Sequence, residues 1–312
     1  MFARILDYLD ALYPCVNSHA HFWGQKLMCR VLISGIYHLN NVLCWYYHVI
    51  DKKRISKPED CKYVVSLTTY PARVNNVWRV IEMAAHQKGI KDKYAICLYL
   101  IESEFEGVEL PKEIKELQKR GLTIKFNKVN LKCHNKYFYA FQDYPEKNII
   151  TIDDDLQYNH HSISGLITKN KEYPECIIYN YGAYVLKNKP FKTWPDAVLQ
   201  NMPHLDIYPL GVGGVLYPPH ACHKIVTRAD VIKETCMCAD DMWLNYCSRI
   251  QKTFVVQTGL RSAYMVLPDS SQQYALWKSN VDPVIAGNDK QINMISNWSK
   301  KQFGFDFFVN LK

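Results

Sequence analysis

The sequence lacks several features that would assign it to a specialised class of protein. Its 11 cysteines are scattered, odd in number and without the spacing of a disulfide framework, which predicts a reducing compartment. The first residues lack the apolar core of a secretory signal. There is no internal repeat or low-complexity tract, and the basic residues are dispersed, which disfavours nucleic acid as a partner. These absences predict a cytoplasmic, globular protein.

What is present is a long, moderately basic chain. Its 312 residues are 48% hydrophobic, which suits one large α/β domain or a domain with an appendage. A chain of this length can bury a substantial core without a disulfide or metal to hold it together. The net charge of +8 is compatible with anionic partners such as nucleotide diphosphates or acidic lipids and does not choose among them.

Residues 1–57 are predicted to form a separate helical segment. Residues 31–50 carry no charge and are followed by Lys52, Lys53 and Arg54. The uncharged run has about the length that spans a bilayer, but its polar residues make insertion costly. An interfacial helix in peripheral contact with an anionic membrane is a second interpretation, and a helical hairpin packed on the main domain is a third. The sequence leaves the three open.

From residue 58 onwards, strands and helices alternate. Strands are predicted at 63–67, 95–100, 123–126 and 148–152, and helices at 74–87, 111–120 and 134–142. Because parallel neighbours need crossover helices, this order predicts a doubly wound, mainly parallel, Rossmann-like sheet in the α/β class. We divide the domain into a regular half, 58–157, and a less regular half, 158–312. In the second half, 191–209 is predicted to be a loop, 211–219 a glycine-rich turn and 240–250 a helix.

Three consecutive carboxylates, Asp153, Asp154 and Asp155, follow the fourth predicted strand. Like charges this close raise each other's pKa unless a cation or hydrogen-bond donors neutralise them. Ligands of open parallel sheets bind beyond the carboxyl ends of the strands, and hard oxygen ligands suit Mn²⁺ or Mg²⁺. The alternative is a solvated acidic turn that caps a helix beginning near Leu156. The apolar strand before the triplet favours the metal site.

Several segments in order resemble bacterial GT-A glycosyltransferases of surface-polysaccharide pathways. They are Val-Val-Ser-Leu-Thr-Thr-Tyr-Pro-Ala-Arg at 64–73, His-Asn-Lys-Tyr at 134–137, Ile-Ile-Thr-Ile-Asp-Asp-Asp at 149–155, Gly-Val-Gly-Gly-Val-Leu-Tyr-Pro-Pro at 211–219 and Ala-Asp-Asp-Met-Trp-Leu at 239–244. The resemblance covers most of 62–250 and leaves both ends outside. It implies a GT-A fold and transfer of a sugar from a nucleotide-diphosphate sugar to a hydroxyl of a glycan or lipid-linked acceptor. On this resemblance, 58–157 is expected to be the nucleotide-sugar-binding half and 158–312 the acceptor-binding half.

The resemblance also implies roles for individual residues. Asp241, or less strongly Asp240, is expected to be the base that deprotonates the attacking hydroxyl with inversion, while the other caps a helix. The expected metal ligands are Asp153 and Asp155, and Gly213, Gly214 and Tyr217 are expected at the acceptor pocket. The residues expected to bind the nucleotide-sugar are Thr68, Tyr70, Arg73, Lys136, Asp153 and Asp154. Arg73 could equally be a surface residue, Lys136 a solvated lysine, and His134 a helix cap.

Other functions fit the sequence less well. A sugar nucleotidyltransferase shares the sheet and the metal, but residues 68–73 contain no glycine-rich loop. A haloacid-dehalogenase-type phosphatase carries its Asp-x-Asp on an early strand, with Thr or Val where Gln157 stands. A non-catalytic membrane-associated scaffold would be favoured by a degraded acidic motif, and this motif is intact. A zinc site would need unusual spacings among His220, Cys222, His223, Cys236 and Cys238. No histidine follows His223, so waters are expected to complete a metal shell.

Overall fold

The computed structural model describes residues 23–198, 202–260, 264–266 and 287–311. These residues form eight α-helices: α1 (Trp23–Val49), α2 (Val77–Ala85), α3 (Lys112–Lys119), α4 (Asn135–Asp143), α5 (Ser162–Glu172), α6 (Ala229–Thr235), α7 (Asp240–Gln251) and α8 (Asn288–Phe303). The strands are β1 (Tyr63–Thr68), β2 (Tyr94–Ile101), β3 (Thr123–Asn127), β4 (Asn148–Thr151), β5 (Leu156–Tyr158), β6 (Ile177–Tyr184), β7 (Ile207–Tyr217), β8 (Val255–Gln257) and β9 (Tyr264–Val266). The start of the predicted N-terminal segment, residues 1–22, lies outside the described residues.

Seven of these strands form one mixed sheet in the order β3-β2-β1-β4-β7-β6-β8. The strands from β3 to β4 are parallel to one another, β7 is antiparallel to both its neighbours, and β8 is parallel to β6. Strands β5 and β9 make a separate antiparallel pair. The prediction of an α/β, Rossmann-like, mainly parallel sheet is confirmed.

Strands β1, β2 and β4 are buried over almost their whole length because both faces of the sheet are covered there. In β1, Val65 and Leu67 face a core with α2 and α3, while Val64 faces the core beneath α4. Successive side chains of a strand point to opposite faces, so in a strand covered on both sides even a polar side chain such as that of Ser66 is buried. This packing brings the carboxyl ends of β1 and β4 to the same edge, where Ser66 is in register with Thr151.

One local prediction is wrong, and one alternative is excluded. Residues 211–217, predicted as part of a glycine-rich turn, belong to β7, which begins within the predicted loop 191–209. The glycines form a bulge: Tyr179 pairs with Val215 but Tyr181 pairs with Leu210. The buried amide of Asn180 donates a 2.7 Å hydrogen bond to the Gly213 carbonyl and so holds the bulge. The segment from Leu156 is a strand and not the start of a helix, because it pairs with β9 more than a hundred residues later.

Helix α1 packs on the domain through a buried polar network. The Tyr47 ring stacks on His86 with centroids 3.7 Å apart, and its hydroxyl is 2.8 Å from His160 Nε2. The buried Glu82 carboxylate is 2.8 Å from His48 Nδ1 and also pairs with Arg120. In the described part of the chain, no helix combines the length and hydropathy needed to cross a membrane.

Candidate active site

The predicted acidic triplet lies where β1 and β4 end side by side. Asp153 to Asp155 follow β4, and Thr69 to Arg73 follow β1. Because the two strands are parallel neighbours, both segments leave the sheet at one edge and come into contact. This edge is the place where the topology of such sheets puts a ligand.

Asp154 is turned inward, towards the segment after β1. It accepts a hydrogen bond from Thr69 Oγ1 at 2.6 Å and pairs with an Arg73 nitrogen at 2.8 Å. The same nitrogen lies 3.1 Å from Asp155. Burial raises the pKa of Asp154 to about 6 against the opposing effect of Arg73. Burial disfavours charge on Arg73, but the two carboxylates outweigh it and raise the pKa of the guanidinium.

Lys136 joins the triplet to the second acidic segment. Its Nζ is 2.5 Å from Asp153 and 2.8 Å from Asp240, and its side chain is 5% exposed. Burial works against the charged amine, but Asp153 and then Asp240 raise the pKa of Lys136 well above its ordinary value. The Ser66 hydroxyl donates to the Lys136 carbonyl, which ties α4 to β1. The interpretation of Lys136 as a solvated lysine is wrong.

The adjacent aspartates of α7 have different surroundings. Burial favours the neutral form of Asp240, but Lys136 outweighs it and lowers the pKa of Asp240. Asp241 accepts a 3.0 Å hydrogen bond from the Gly211 N–H. Burial, followed by the charge of Asp240, raises the pKa of Asp241 to about 8, although Lys136 opposes this. Two neighbouring carboxyls whose environments push their pKa values apart can take different roles in proton transfer.

Neither of these carboxylates caps α7, which corrects the expectation that one would. The N-cap residue is Ala239, which has no side-chain acceptor. The side chains of Asp240 and Asp241 are taken by Lys136 and by Gly211 instead. Both lie in the first turn, where the helix dipole favours negative charge.

The cluster has more carboxylates than cations. Five carboxylates share two cations, Arg73 and Lys136, in the ion pairs and charge contacts found among the described residues: Asp153, Asp154, Asp155, Asp240 and Asp241. Within the triplet, the side chains of Asp153 and Asp155 are 30% and 17% exposed, whereas that of Asp154 is 9% exposed. Asp153 and Asp155 are therefore the pair that can reach a cation from the solvent side.

The donor set of this pair fits a hard divalent ion that keeps other ligands. In the residues that the structure describes, no group of three or more His, Cys, Asp or Glu side chains is arranged to hold a metal. This includes the described cysteines and histidines considered for zinc. Two carboxylates alone suit Mg²⁺ or Mn²⁺, which retain waters and accept diphosphate oxygens.

Four other residues expected at the site, Thr68, Tyr70, Tyr217 and His134, have their own contacts around the acidic cluster. Thr68 Oγ1 donates to the Tyr99 carbonyl at 2.8 Å, and the Tyr70 ring lies 5.4 Å from the Arg73 guanidinium carbon. Tyr217 pairs with Ile149, towards the other end of β4, and its ring packs on Phe141. His134 is buried, with Nδ1 2.8 Å from the Tyr137 hydroxyl and Nε2 2.6 Å from the Cys236 carbonyl, so its side chain does not cap α4.

Gly213 and Gly214 lie in the bulge of β7, two and three residues after Gly211, whose N–H binds Asp241. An added Cβ at Gly213 would meet the Tyr181 ring at 2.6 Å, so protein side chains already fill that space. Gly214 has a φ of +82°, which favours glycine. A Cβ added there would face Ile152 and Tyr158. The close approach that these glycines permit is to the protein's own side chains.

Two residues of the site are not predicted from the sequence. Thr69 lies within the segment 64–73 that carries the resemblance, and its hydroxyl directly after a strand is a signal by which it can be found. Tyr158 carried no signal, because its hydroxyl reaches the site only through β5, where it accepts the Asp153 N–H at 2.9 Å.

Gly211→Ala is expected to disturb Asp241 directly. The added Cβ would lie 2.4 Å from Asp241 Oδ1, so the carboxylate has to move or lose its bond to the Gly211 N–H. We expect a loss of about 1–3 kcal/mol in the free energy of unfolding, as for other overpacked sites, together with reduced turnover. Urea unfolding measures the first effect. Gly35→Ala, in α1 with open space around it, is the control and should cause no loss. Equal stability and activity in the two variants would contradict the role of Gly211.

Comparison with known proteins gives distant structural similarities. No protein-family model matches the chain, and no curated protein does either. The S. aureus TarS 1-349 structure aligns over 80% of this chain and 75% of its own, at 11% identity and a TM-score of 0.43. TarS 1-349 in complex with UDP-GlcNAc aligns over 78% and 73%, at 10% identity and 0.45. UTP-bound UGPase from Acinetobacter baumannii aligns over 75% and 98%, at 10% identity and 0.38. Similarity this distant does not establish a function, so the chain's own residues have to support that inference.

Proposed function

We propose that the protein is a GT-A-type, metal-dependent glycosyltransferase. It moves a sugar from a nucleotide-diphosphate sugar to a hydroxyl of a glycan or lipid-linked acceptor. The observation that supports this most is the bridge through Lys136, which contacts Asp153 on one side and Asp240 on the other. A site for a charged leaving group and a carboxylate base with a raised pKa thereby lie next to each other.

On the donor side, Lys136 and Arg73 stabilise the negative charge that develops on the leaving diphosphate. Both cations are held in place by carboxylates, so they need little reorganisation when charge develops. A Mn²⁺ or Mg²⁺ ion held by Asp153 and Asp155 would supply further charge neutralisation at the same oxygens. Thr68 and Tyr70 are proposed to border the nucleotide, with Asp154 orienting Arg73 beside it.

On the acceptor side, Asp241 acts as the general base. A carboxyl with a pKa near 8 is a stronger base than an ordinary aspartate and ionises close to neutral pH. Asp240 is paired with Lys136 and serves to hold that lysine. Since this leaves one carboxylate for proton transfer and none placed as a nucleophile, we propose inversion. Gly213, Gly214 and Tyr217 remain the proposed acceptor-side residues. The proposed location is the cytoplasm, where nucleotide-sugars are available.

Asp155→Ala is expected to reduce metal-dependent donor hydrolysis by about 10²–10³-fold, the loss typical of removing one group that stabilises the leaving charge. The assay screens nucleotide-sugars with Mn²⁺, with Mg²⁺ and after chelation, and measures released nucleotide diphosphate. Asp230→Ala is the matched control, because Asp230 is an exposed aspartate paired with Arg228 on the surface.

Two outcomes would overturn this part of the proposal. Equal turnover by Asp155→Ala and the unaltered protein would remove Asp155 from the site, and full activity after chelation would remove the metal. Formation of nucleoside triphosphate from a nucleotide-sugar and pyrophosphate, with no hydrolysis or transfer, would assign the site to a sugar nucleotidyltransferase instead.

A further inference from the structure

Towards its C-terminal end, helix α1 has an outward face that is mainly apolar although it is exposed. Its inward side chains, among them Leu43, Cys44 and Tyr47, pack on the domain. Its outward side chains include Val42 at 55%, Trp45 at 56% and Ile50, just beyond the helix, at 59% exposed. A surface helix normally carries polar residues on the side that faces water. We define the outward face as Val31, Val42, Trp45, Tyr46, Val49 and Ile50. Its apolar side chains are concentrated in the last third of the helix, since the exposed residues among those described between Val31 and Val42 are Ser34, Gly35 and His38.

Positive charge follows directly after this face. Lys52, Lys53 and Arg54 are all exposed, and residues 31–50 contain no charged side chain. Asp51 is the single acidic residue between Val31 and Arg54. Aromatic side chains with polar tips, such as Trp45 and Tyr46, favour the headgroup level of a bilayer, and lysine and arginine are attracted to anionic lipid. The chemistry of the face and of the basic run therefore matches the same partner.

The outward face is held rigidly by contacts on the other side of the helix. Cys44 accepts a hydrogen bond from Gln157 Nε2 at 3.4 Å, and Tyr47 reaches both His86 and His160. Gln157 belongs to β5, the strand that directly follows the acidic triplet. A surface that is preformed on a rigid element binds without the cost of ordering it.

We propose that the outward face of α1, together with Lys52, Lys53 and Arg54, docks on the surface of a bilayer that contains anionic phospholipid. The helix lies in the plane of the interface with its inward side still on the domain. Large exposed apolar patches mark such interaction sites in proteins of this kind. Because α1 contacts β5, docking would hold the acidic cluster at a defined height above the lipid, which suits an acceptor carried by the membrane.

The test is co-sedimentation of the full-length protein with vesicles of phosphatidylcholine alone or mixed with phosphatidylglycerol in equal parts. We expect binding to the mixed vesicles that weakens with added salt. The triple variant Lys52→Gln, Lys53→Gln and Arg54→Gln should reduce partitioning by about a hundredfold. Trp45→Ser should reduce it by about tenfold, since it removes one large apolar side chain from the interface.

Matched controls separate this surface from general effects. Phe126→Ser removes another exposed aromatic, and Lys187→Gln, Lys189→Gln and Lys192→Gln remove three exposed charges elsewhere. Both should bind vesicles as the unaltered protein does. Thermal unfolding of Trp45→Ser shows whether α1 remains folded, and its donor hydrolysis without vesicles should be unchanged. Vesicle binding stands whether or not the protein hydrolyses a nucleotide-sugar, so failure of one proposal is distinguishable from failure of the other.

Absence of binding to the mixed vesicles would overturn the proposal. So would equal binding by Trp45→Ser, the triple variant and the controls. A concentration-dependent dimer that Trp45→Ser abolishes, without vesicle binding, would assign the outward face to a second copy of the chain.

Discussion

Lys136→Met is expected to lower the free energy of unfolding by about 3–5 kcal/mol, the cost of leaving a buried charge without its partner. Methionine has a similar length and no charge, so the variant tests the charge of Lys136 and not its volume. Asp153 and Asp240 would both lose the cation that now lies within 2.8 Å of each. Urea unfolding at neutral pH measures the loss, and donor hydrolysis should fall with it because Lys136 is the proposed partner of the leaving diphosphate.

The pH dependence of this loss has a defined sign. In the unaltered protein the pKa of Asp240 is held below its ordinary value of 3.8, so its contribution is complete above that value and is lost as the pH falls through the folded-state pKa. In Lys136→Met the unpaired carboxylates take up protons more readily, which relieves the repulsion on acidification. The difference between the two proteins should therefore be largest near neutral pH and shrink towards pH 4.

A double-mutant cycle separates the pair from its neighbours. Asp240→Asn combined with Lys136→Met should cost less than the sum of the single changes, because the second change removes one of the carboxylates left unpaired by the first. Lys147→Met is the control, since the Lys147 amine donates to the Cys61 carbonyl and lies outside the acidic cluster. Additive losses, or a loss no larger than that of Lys147→Met, would contradict a stabilising role for the bridge.

Asp241→Asn is expected to lower turnover by about 10²–10⁴-fold, the usual contribution of a positioned general base. Asparagine retains an oxygen that can accept the Gly211 N–H, so the fold around it should be preserved. Stability should be equal or higher, because the change removes a carboxyl whose ionised form burial disfavours. Turnover of a nucleotide-sugar, with its dissociation constant measured separately, distinguishes lost catalysis from lost binding.

The pH profile identifies the group further. A base works when ionised, so kcat/KM of the unaltered protein should rise with pH, reach half its plateau at about 8, the pKa of Asp241, and level off above that pH. In Asp241→Asn this rise should be absent from the residual activity. Asp240→Asn provides the contrast. This variant should be less stable because Lys136 loses a partner, but its kcat/KM should still rise with pH, with only the midpoint of the rise displaced. An unchanged profile in Asp241→Asn would exclude this residue as the base.

Local features of the sequence were sufficient for the first half of the fold. The predicted strands at 63–67, 95–100 and 123–126 match β1, β2 and β3 within about two residues. Continuous apolar runs separated by amphipathic helices are local signals, and the right-handed crossover between parallel strands leaves few alternatives. The acidic triplet was found in the same way, since it follows an apolar strand.

The second half depended on partners that are remote along the chain. The glycines of 211–214 indicated a turn, but their conformation is set by Asn180 in β6, with which they form a bulge. Strand β5 is too short to show a strand pattern in the sequence, and it forms because it pairs with β9. No periodicity within either segment contains this information.

Local pattern and the polarity of parallel strands are enough to predict the α/β class, the edge at which the acidic triplet leaves the sheet, and the charged residues available there. Which of these charges meet depends on tertiary contacts: Arg73 holds Asp154 and Asp155, Lys136 lies between Asp153 and Asp240, and Asp241 is bound by Gly211. Tertiary packing also buries one side of α1 and leaves the other exposed. Pairings over such sequence separations are selected by packing and burial of the whole domain, and those same factors set the pKa values on which the proposed chemistry depends.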